Sequence, residues 1–253
     1  MSKHDKKLNK HYKNKSKTFK LAYDAILVCL VCIALVSAYK IFTIVSGYMS
    51  SQNAYQGIRK EVAEEGFTGN IDWSKLRKIN EDVVGWIYLK DSNIDYPIVN
   101  SHDNKEYLTT LFDKTYGVSG TIFVDCDTQF PFDQFSTVVY GHHMKDGSMF
   151  NNIKKFKDRD YANSHSRFEL ITPDAKYHLD VAAFLNCPYD CYVYTPNIAD
   201  DERDKFFKTV NVLADYRTDV KLTKNDKIVV LSTCAYEYDG ARYVIIGKLT
   251  PWS

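Results

Sequence analysis

A thiol and a guanidinium eight residues apart, Cys234 and Arg242, are the pair in this chain best suited to chemistry. Cys234 ends a run in which Ile228, Val229, Val230 and Leu231 follow Asn225-Asp226, a pattern that predicts a buried strand entered from a turn. After Cys234 come mostly polar or aromatic residues with Asp239-Gly240 as a turn signal, and a second strand pattern runs from Arg242 to Leu249. A hairpin of this kind returns Arg242 to the neighbourhood of Cys234. A thiolate can attack a carbonyl, and a fixed guanidinium can hydrogen-bond the oxygen that becomes negative, so the pair is half of an acyl-transfer site. Ser232, beside the cysteine, is a further polar group at the strand end, where a serine also often satisfies backbone groups.

The missing half is a base. A strand pattern from Thr137 to His142 carries Val138, Val139 and Tyr140 into Gly141, His142 and His143. Adjacent strand residues point to opposite faces, so if this strand lies beside the cysteine strand only one of the two histidines can face Cys234.

Taken together, a strand ending in LSTC, an arginine eight residues on and an upstream YGHHM resemble the sortases, the cysteine transpeptidases of Gram-positive cell surfaces. Ile94 to Asn100 (IDYPIVN), Ser119 to Asp125 (SGTIFVD) and Met149 to Phe156 (MFNNIKKF) are similar to class B members, and the resemblance covers roughly residues 72–253. It implies a closed eight-stranded β-barrel with helices before the first strand and between the last ones. It implies Cys234 as nucleophile and His142, which follows Gly141 directly, as acid and base, with His143 as a supporting or surface imidazole. Arg242 would steady the oxyanion or the bound peptide, and Ser232 would lie against substrate. The implied substrate is a secreted protein with a C-terminal sorting signal of the NPxTN or [NS]PxTG type, cleaved after threonine through a thioacyl-enzyme. The acceptor would be an amine of a peptidoglycan precursor or, in a pilin-polymerising relative, a pilin lysine. No cofactor is implied, because a thioester conserves the acyl energy.

Two other readings use some of the same features. A papain-like hydrolase would carry its cysteine on a helix and usually an asparagine orienter, where this chain has a strand and an arginine. A non-enzymatic surface adhesin could share barrel and anchor, but its thiol would need no arginine partner.

The 253 residues, 45% of them hydrophobic, suffice for one sizeable core and an appendage. Residues 1–20 hold eight lysines and one aspartate, so the formal charge of +1 divides into +7 on that tail and −6 on the rest. A basic tail on an acidic body argues against a nucleic-acid-binding domain. Six cysteines are present. Cys29 and Cys32 fall in an apolar segment, and Cys126, Cys187 and Cys191 give no disulfide framework; whether the last two bridge each other is open. Their C-x3-C spacing lacks the further ligand pair of a zinc site, so they read as structural or incidental thiols. His102, His165 and His178 are scattered, and Asp103, Asp125, Asp127 and Asp133 do not form an EF-hand, so no metal site is expected.

The elements that must position these groups divide the chain into a basic cytoplasmic tail (1–20), a transmembrane anchor (21–45), a membrane-proximal helical segment (46–80) and a catalytic barrel (81–253). Ala25 to Tyr39 is uncharged, and apolar character resumes after Lys40, whose stem can snorkel, so the segment spans a bilayer. A cleaved signal peptide is the competing reading, but the basic stretch is long for one and lacks a convincing cleavage site. The lysine excess predicts a single-pass protein with its N-terminus in the cytoplasm and its catalytic domain outside. Residues 50–80 read as two short helices broken at Gly66 to Asn70. Beyond them lie strand patterns at Val84 to Leu89, Ile94 to Val99, Thr121 to Asp125, Thr137 to His142, Phe168 to Thr172 and Tyr177 to Leu185, and one helix from Asp200 to Ala214. With the hairpin at Cys234 this makes a mainly β chain of about eight strands, a closed or nearly closed barrel with peripheral helices.

Overall fold

The computed structural model of the chain describes residues 3–62, 67–235 and 239–252, with side chains described from residue 19. The chain divides into two compact units, Met1–Gly47 and Tyr48–Ser253. In the first, helix α1 (Lys3–Val62) begins, and the section from Phe19 is long and apolar enough to cross a membrane. Its large side chains, among them Ile26, Leu30, Ile33 and Phe42, are exposed. α1 continues without a break to Val62, so the first of the two short helices expected after residue 50 is the end of α1. Gly47 and Gly57 are the glycines in this part of the helix, and each costs it only about 1 kcal/mol. Helix α2 (Trp73–Ile79) follows, with the Asp72 carboxylate accepting from the Lys75 N–H at 3.0 Å as its N-cap.

The second unit is a barrel. Its strands are β1 (Val83–Tyr88), β2 (Asp95–Asn100), β3 (Ile122–Val124), β4 (Ser136–Tyr140), β5 (Arg167–Ile171), β6 (Lys176–Pro188), β7 (Ala214–Arg217), β8 (Ile228–Cys234) and β9 (Ala241–Pro251). The hydrogen-bonded order β5-β1-β2-β3-β4-β8-β9-β6 closes through β5 against β6, a ring of eight strands, and short β7 hangs on β6 outside it. Eight of the nine strands fall where strand patterns are read in the sequence. The ninth, β7, takes up Ala214, assigned there to the end of the helix. Helix α3 (Arg159–Ser164) precedes β5, and the expected helix is α4 (Arg203–Leu213), entered through a 3-10 turn at Asp200–Glu202.

Most neighbours in the ring are antiparallel, but β2 with β3 and β4 with β8 are parallel. A parallel pair needs a long crossover, and here the chain makes α3, β5, β6, α4 and β7 between β4 and β8. As a result β4 and β8 end at the same rim.

β8 is buried throughout until Cys234, which explains why its sequence is continuously apolar. Val229 and Leu231 face the barrel core with Trp86, Phe168, Phe184 and Ile245. Ile228 and Val230 face an outer cluster in which Val138, Leu185, Val244 and Ile246 pack against Phe206 and Val210 of α4. Strand alternation therefore puts Ser232 and Cys234 on the outer face, in line with Ile228 and Val230.

Candidate active site

Three strands bring the chemistry-bearing residues together at that rim. In the β8–β9 ladder Cys234 pairs directly with Arg242, and on the far side of β9 Arg242 pairs with Cys187 of β6. The turn between β8 and β9 contains Gly240 at φ +76°, a left-handed conformation open to glycine, and Ala235 N–H donates to Ala241 C=O at 2.9 Å. Residues 236–238 of that connection lie outside the described residues.

β4 lies parallel to β8, with Tyr140 opposite Ser232. It ends at Tyr140, two residues short of the expected His142. Gly141 adds one more bond to the ladder, N–H to Ser232 C=O at 3.1 Å, and there the chain turns away. A Cβ on Gly141 would lie 2.5 Å from Ile122 and 2.7 Å from Phe150, so only glycine lets the backbone pass. His142 C=O then accepts from Phe150 N–H at 3.0 Å, and His143 forms a bridge with Met149. Even so, His142 and Cys234 line the same groove.

The two histidines make different bonds. His142 donates from Nε2 to the Leu108 carbonyl at 2.7 Å, since a carbonyl can only accept, so Nδ1 is the ring nitrogen that takes no part in this bond. His143 donates from Nδ1 to the carbonyl of Cys234 at 2.7 Å, tying the strand end in place from the other side.

A groove of about 280 Å³ is lined by Cys234, Arg242, His142 and Ser232 together with Leu108, Tyr140, Tyr189 and Tyr194. Cys234, His142 and Arg242 are each half-buried, reachable from solvent yet held. Arg242 donates from Nη1 to the Ala241 carbonyl at 2.9 Å, and its guanidinium lies 6.0 Å from the Tyr189 ring centre. Ser232 is buried, and its hydroxyl donates to the Tyr194 hydroxyl at 3.2 Å. Tyr194 stacks on Tyr140 with ring centres 6.3 Å apart. The Tyr140 hydroxyl donates to Asp125, which also accepts from Asn104, each at 3.0 Å. Burial pushes both phenols, Tyr140 and Tyr194, well above the usual tyrosine range, so they stay neutral hydrogen-bonding walls.

The sequence reading did not pick out these walls. Tyr189 and Tyr194 sit in an irregular connection after β6, and Leu108 contributes a backbone oxygen that no side-chain pattern announces. Tyr140 could have been found, two residues before His142 on the same face. Among the described residues one trio, Asp125, Cys126 and Asp127, has ligand atoms within 4.8 Å of one another, but Asp125 is engaged by Asn104 and Tyr140.

Comparison with known proteins bears on this geometry. A family model described as the sortase domain matches residues 87–250. Sortase B of Listeria monocytogenes is 33% identical over 195 residues, 75% of this chain and 79% of that one. A Bacillus anthracis protein described as similar to sortase B superposes at TM-score 0.71 and 31% identity, over 81% of this chain and 98% of that one. The Staphylococcus aureus sortase B–substrate complex matches at TM-score 0.66 and 29% identity, over 72% and 85%. Sortase B is also solved complexed with triglycine, and that structure again matches at TM-score 0.66.

Proposed function

The chain belongs to the sortase family and to its class B, and from this we propose a transpeptidase that cleaves a C-terminal sorting signal after threonine and joins the new carboxyl end to a cell-wall precursor amine. The observation that carries the reading is the convergence of Cys234, Arg242 and His142 on one groove.

In this mechanism the Cys234 thiolate attacks the carbonyl carbon of the threonine, and the oxygen that becomes negative is held by Arg242. His142 gives its Nδ1 proton to the leaving amine. The neutral form that remains keeps its Nε2–H on Leu108, so proton transfer needs no ring rotation. The acceptor amine then attacks the thioester, returns a proton to Nδ1 and expels the Cys234 thiolate. Ser232, held by Tyr194, and Arg242 line the groove against the peptide. Relatives solved with substrate and with triglycine support a sorting peptide as donor and a glycine-like amine as acceptor. The motif is of the NPxTN or [NS]PxTG type. The apolar section of α1 anchors the enzyme, with the basic tail inside and the barrel outside.

The test is mass spectrometry of the full chain in detergent micelles, incubated with sorting-motif peptides and triglycine. Wild type is expected to yield a thioacyl adduct on Cys234 and a peptide–triglycine product, and Cys234→Ala neither. Cleavage retained by Cys234→Ala overturns the reading.

A further inference from the structure

Two cysteines outside the proposed reaction sit one strand away from it. Cys187, the last residue but one of β6, pairs with Arg242, and Cys191 follows a turn in which its N–H donates to Pro188 C=O at 3.2 Å. Their sulfurs lie 3.1 Å apart, about 1 Å beyond the ~2.05 Å of a disulfide bond. The loop between them holds Pro188, Tyr189 and Asp190, and the Tyr189 ring is the one that lies over Arg242. The Tyr189 side chain is 65% exposed, while its N–H donates to Gly240 C=O at 3.0 Å, so the position of the ring over Arg242 depends on how this loop sits on the β8–β9 turn. The Cys187 sulfur also lies 3.9 Å from the Tyr194 hydroxyl that binds Ser232.

We propose that Cys187 and Cys191 form a disulfide that closes this loop and clamps Tyr189 against Arg242, making the pair a positioning element of the groove. The inference rests on the proposed reading in that the bond needs the oxidising side of the membrane. The two thiols are unlike. Their close approach lowers the pKa of half-exposed Cys191 below that of an ordinary thiol and raises that of buried Cys187. Cys191 is therefore the entry point. Its thiolate attacks a sulfur of a protein or small-molecule disulfide, whose S–S bond breaks to release one thiolate. Cys187 then loses its proton to solvent, attacks the Cys191 sulfur and displaces the second thiolate. Two cysteine thiols are oxidised by two electrons, and one external disulfide is reduced to two thiols. Cys234 takes no part. It stands two strands from Cys187, about 9.5 Å at the usual strand spacing, beyond the ~7 Å that a disulfide can bridge.

The experiment has two readouts on the full chain in micelles. After equilibration in a glutathione buffer containing the oxidised form, free thiols are trapped with N-ethylmaleimide and peptides are mapped without reduction. The expected map shows Cys187 linked to Cys191, with Cys234 carrying the label. Label on both Cys187 and Cys191, or a link from either to Cys234, overturns the proposal. This readout requires no turnover, so an enzyme inactive on every sorting peptide would sink the functional reading and leave the disulfide standing. The second readout is transpeptidation. Reduction with a phosphine should lower wild-type kcat/KM by about threefold to tenfold, the range that immobilising a side chain is worth. Cys191→Ala should start at the lowered value and ignore the phosphine. A wild type indifferent to reduction, or a Cys191→Ala that responds equally, overturns the clamp.

Discussion

At the level of single residues, the choice between His142 and His143 rests on which ring lines the groove and on what each ring already binds. His142 lines the groove with Ser232 and Cys234 and bonds Leu108 through Nε2, whereas His143 spends Nδ1 on the Cys234 carbonyl. His142→Ala should lower kcat/KM by at least ~10²-fold, the size of a lost general acid and base. His143→Ala removes the hydrogen bond to the Cys234 carbonyl, a contact worth ~1 kcal/mol, and should lower stability more than rate. Steady-state kinetics beside thermal melts separates the two, and the reverse ranking would make His143 the proton carrier. Arg242 donates from one guanidinium nitrogen to its own strand and lies 6.0 Å from the Tyr189 ring centre. Lysine keeps the charge but not the planar fork, so Arg242→Lys should lose about 10²-fold in kcat/KM. Turnover near wild type in that variant would reduce the role to charge alone. The Cys234–Arg242 pairing was legible because a turn signal fixes where a hairpin returns. Tyr189 and Tyr194 were not, because an irregular loop has no period from which a face can be read.

The strands themselves were legible at the scale of the element, since β-branched runs between turn signals announce them. Their ends were not. β4 stops at Tyr140, and beyond it the Gly141 backbone passes against Ile122 of β3 and Phe150, packing that the local pattern does not announce. The strand that carries the thiol is also fixed at its entry. Asp226 precedes β8, accepts from Thr223 N–H at 2.6 Å and pairs with Lys248 of β9 at 2.9 Å. Burial alone would raise the Asp226 carboxyl, but the bonds from Lys248 and Thr223 outweigh it and hold it below the usual carboxylate range. A carboxyl lowered on folding stabilises the fold above its unfolded value, near pH ~4, and loses that contribution as pH falls through the folded value. Asp226→Asn should therefore melt about 2–4 °C lower at pH ~7, for a loss of ~1 kcal/mol. The gap to wild type should close below about pH 4. A gap unchanged down to about pH 3 would show that charge is not what Asp226 contributes.

For the molecule as a whole, the sequence announced a barrel and an anchor but not the crossover that makes the site. Parallel pairing of β4 with β8 spans some ninety residues between His142 and Cys234 and follows from ring closure, which no local pattern encodes. The orientation across the membrane, by contrast, is argued from charge alone: eight lysines in residues 1–20 precede the apolar section of α1, and basic residues stay on the cytoplasmic side. The proposed reaction, on an exported substrate and a cell-wall amine, requires the barrel on the opposite side. In intact cells a membrane-impermeant methanethiosulfonate should therefore label Cys234, as read by peptide mapping. A cysteine placed in the tail by Ser16→Cys should react only after permeabilisation. Native Cys29 and Cys32 lie within the apolar section and serve as an internal check, because a bilayer should shield them from the reagent in both conditions. Labelling of Ser16→Cys in intact cells with Cys234 protected would put the barrel inside, where neither substrate could reach it, and the proposed reaction would fall with it.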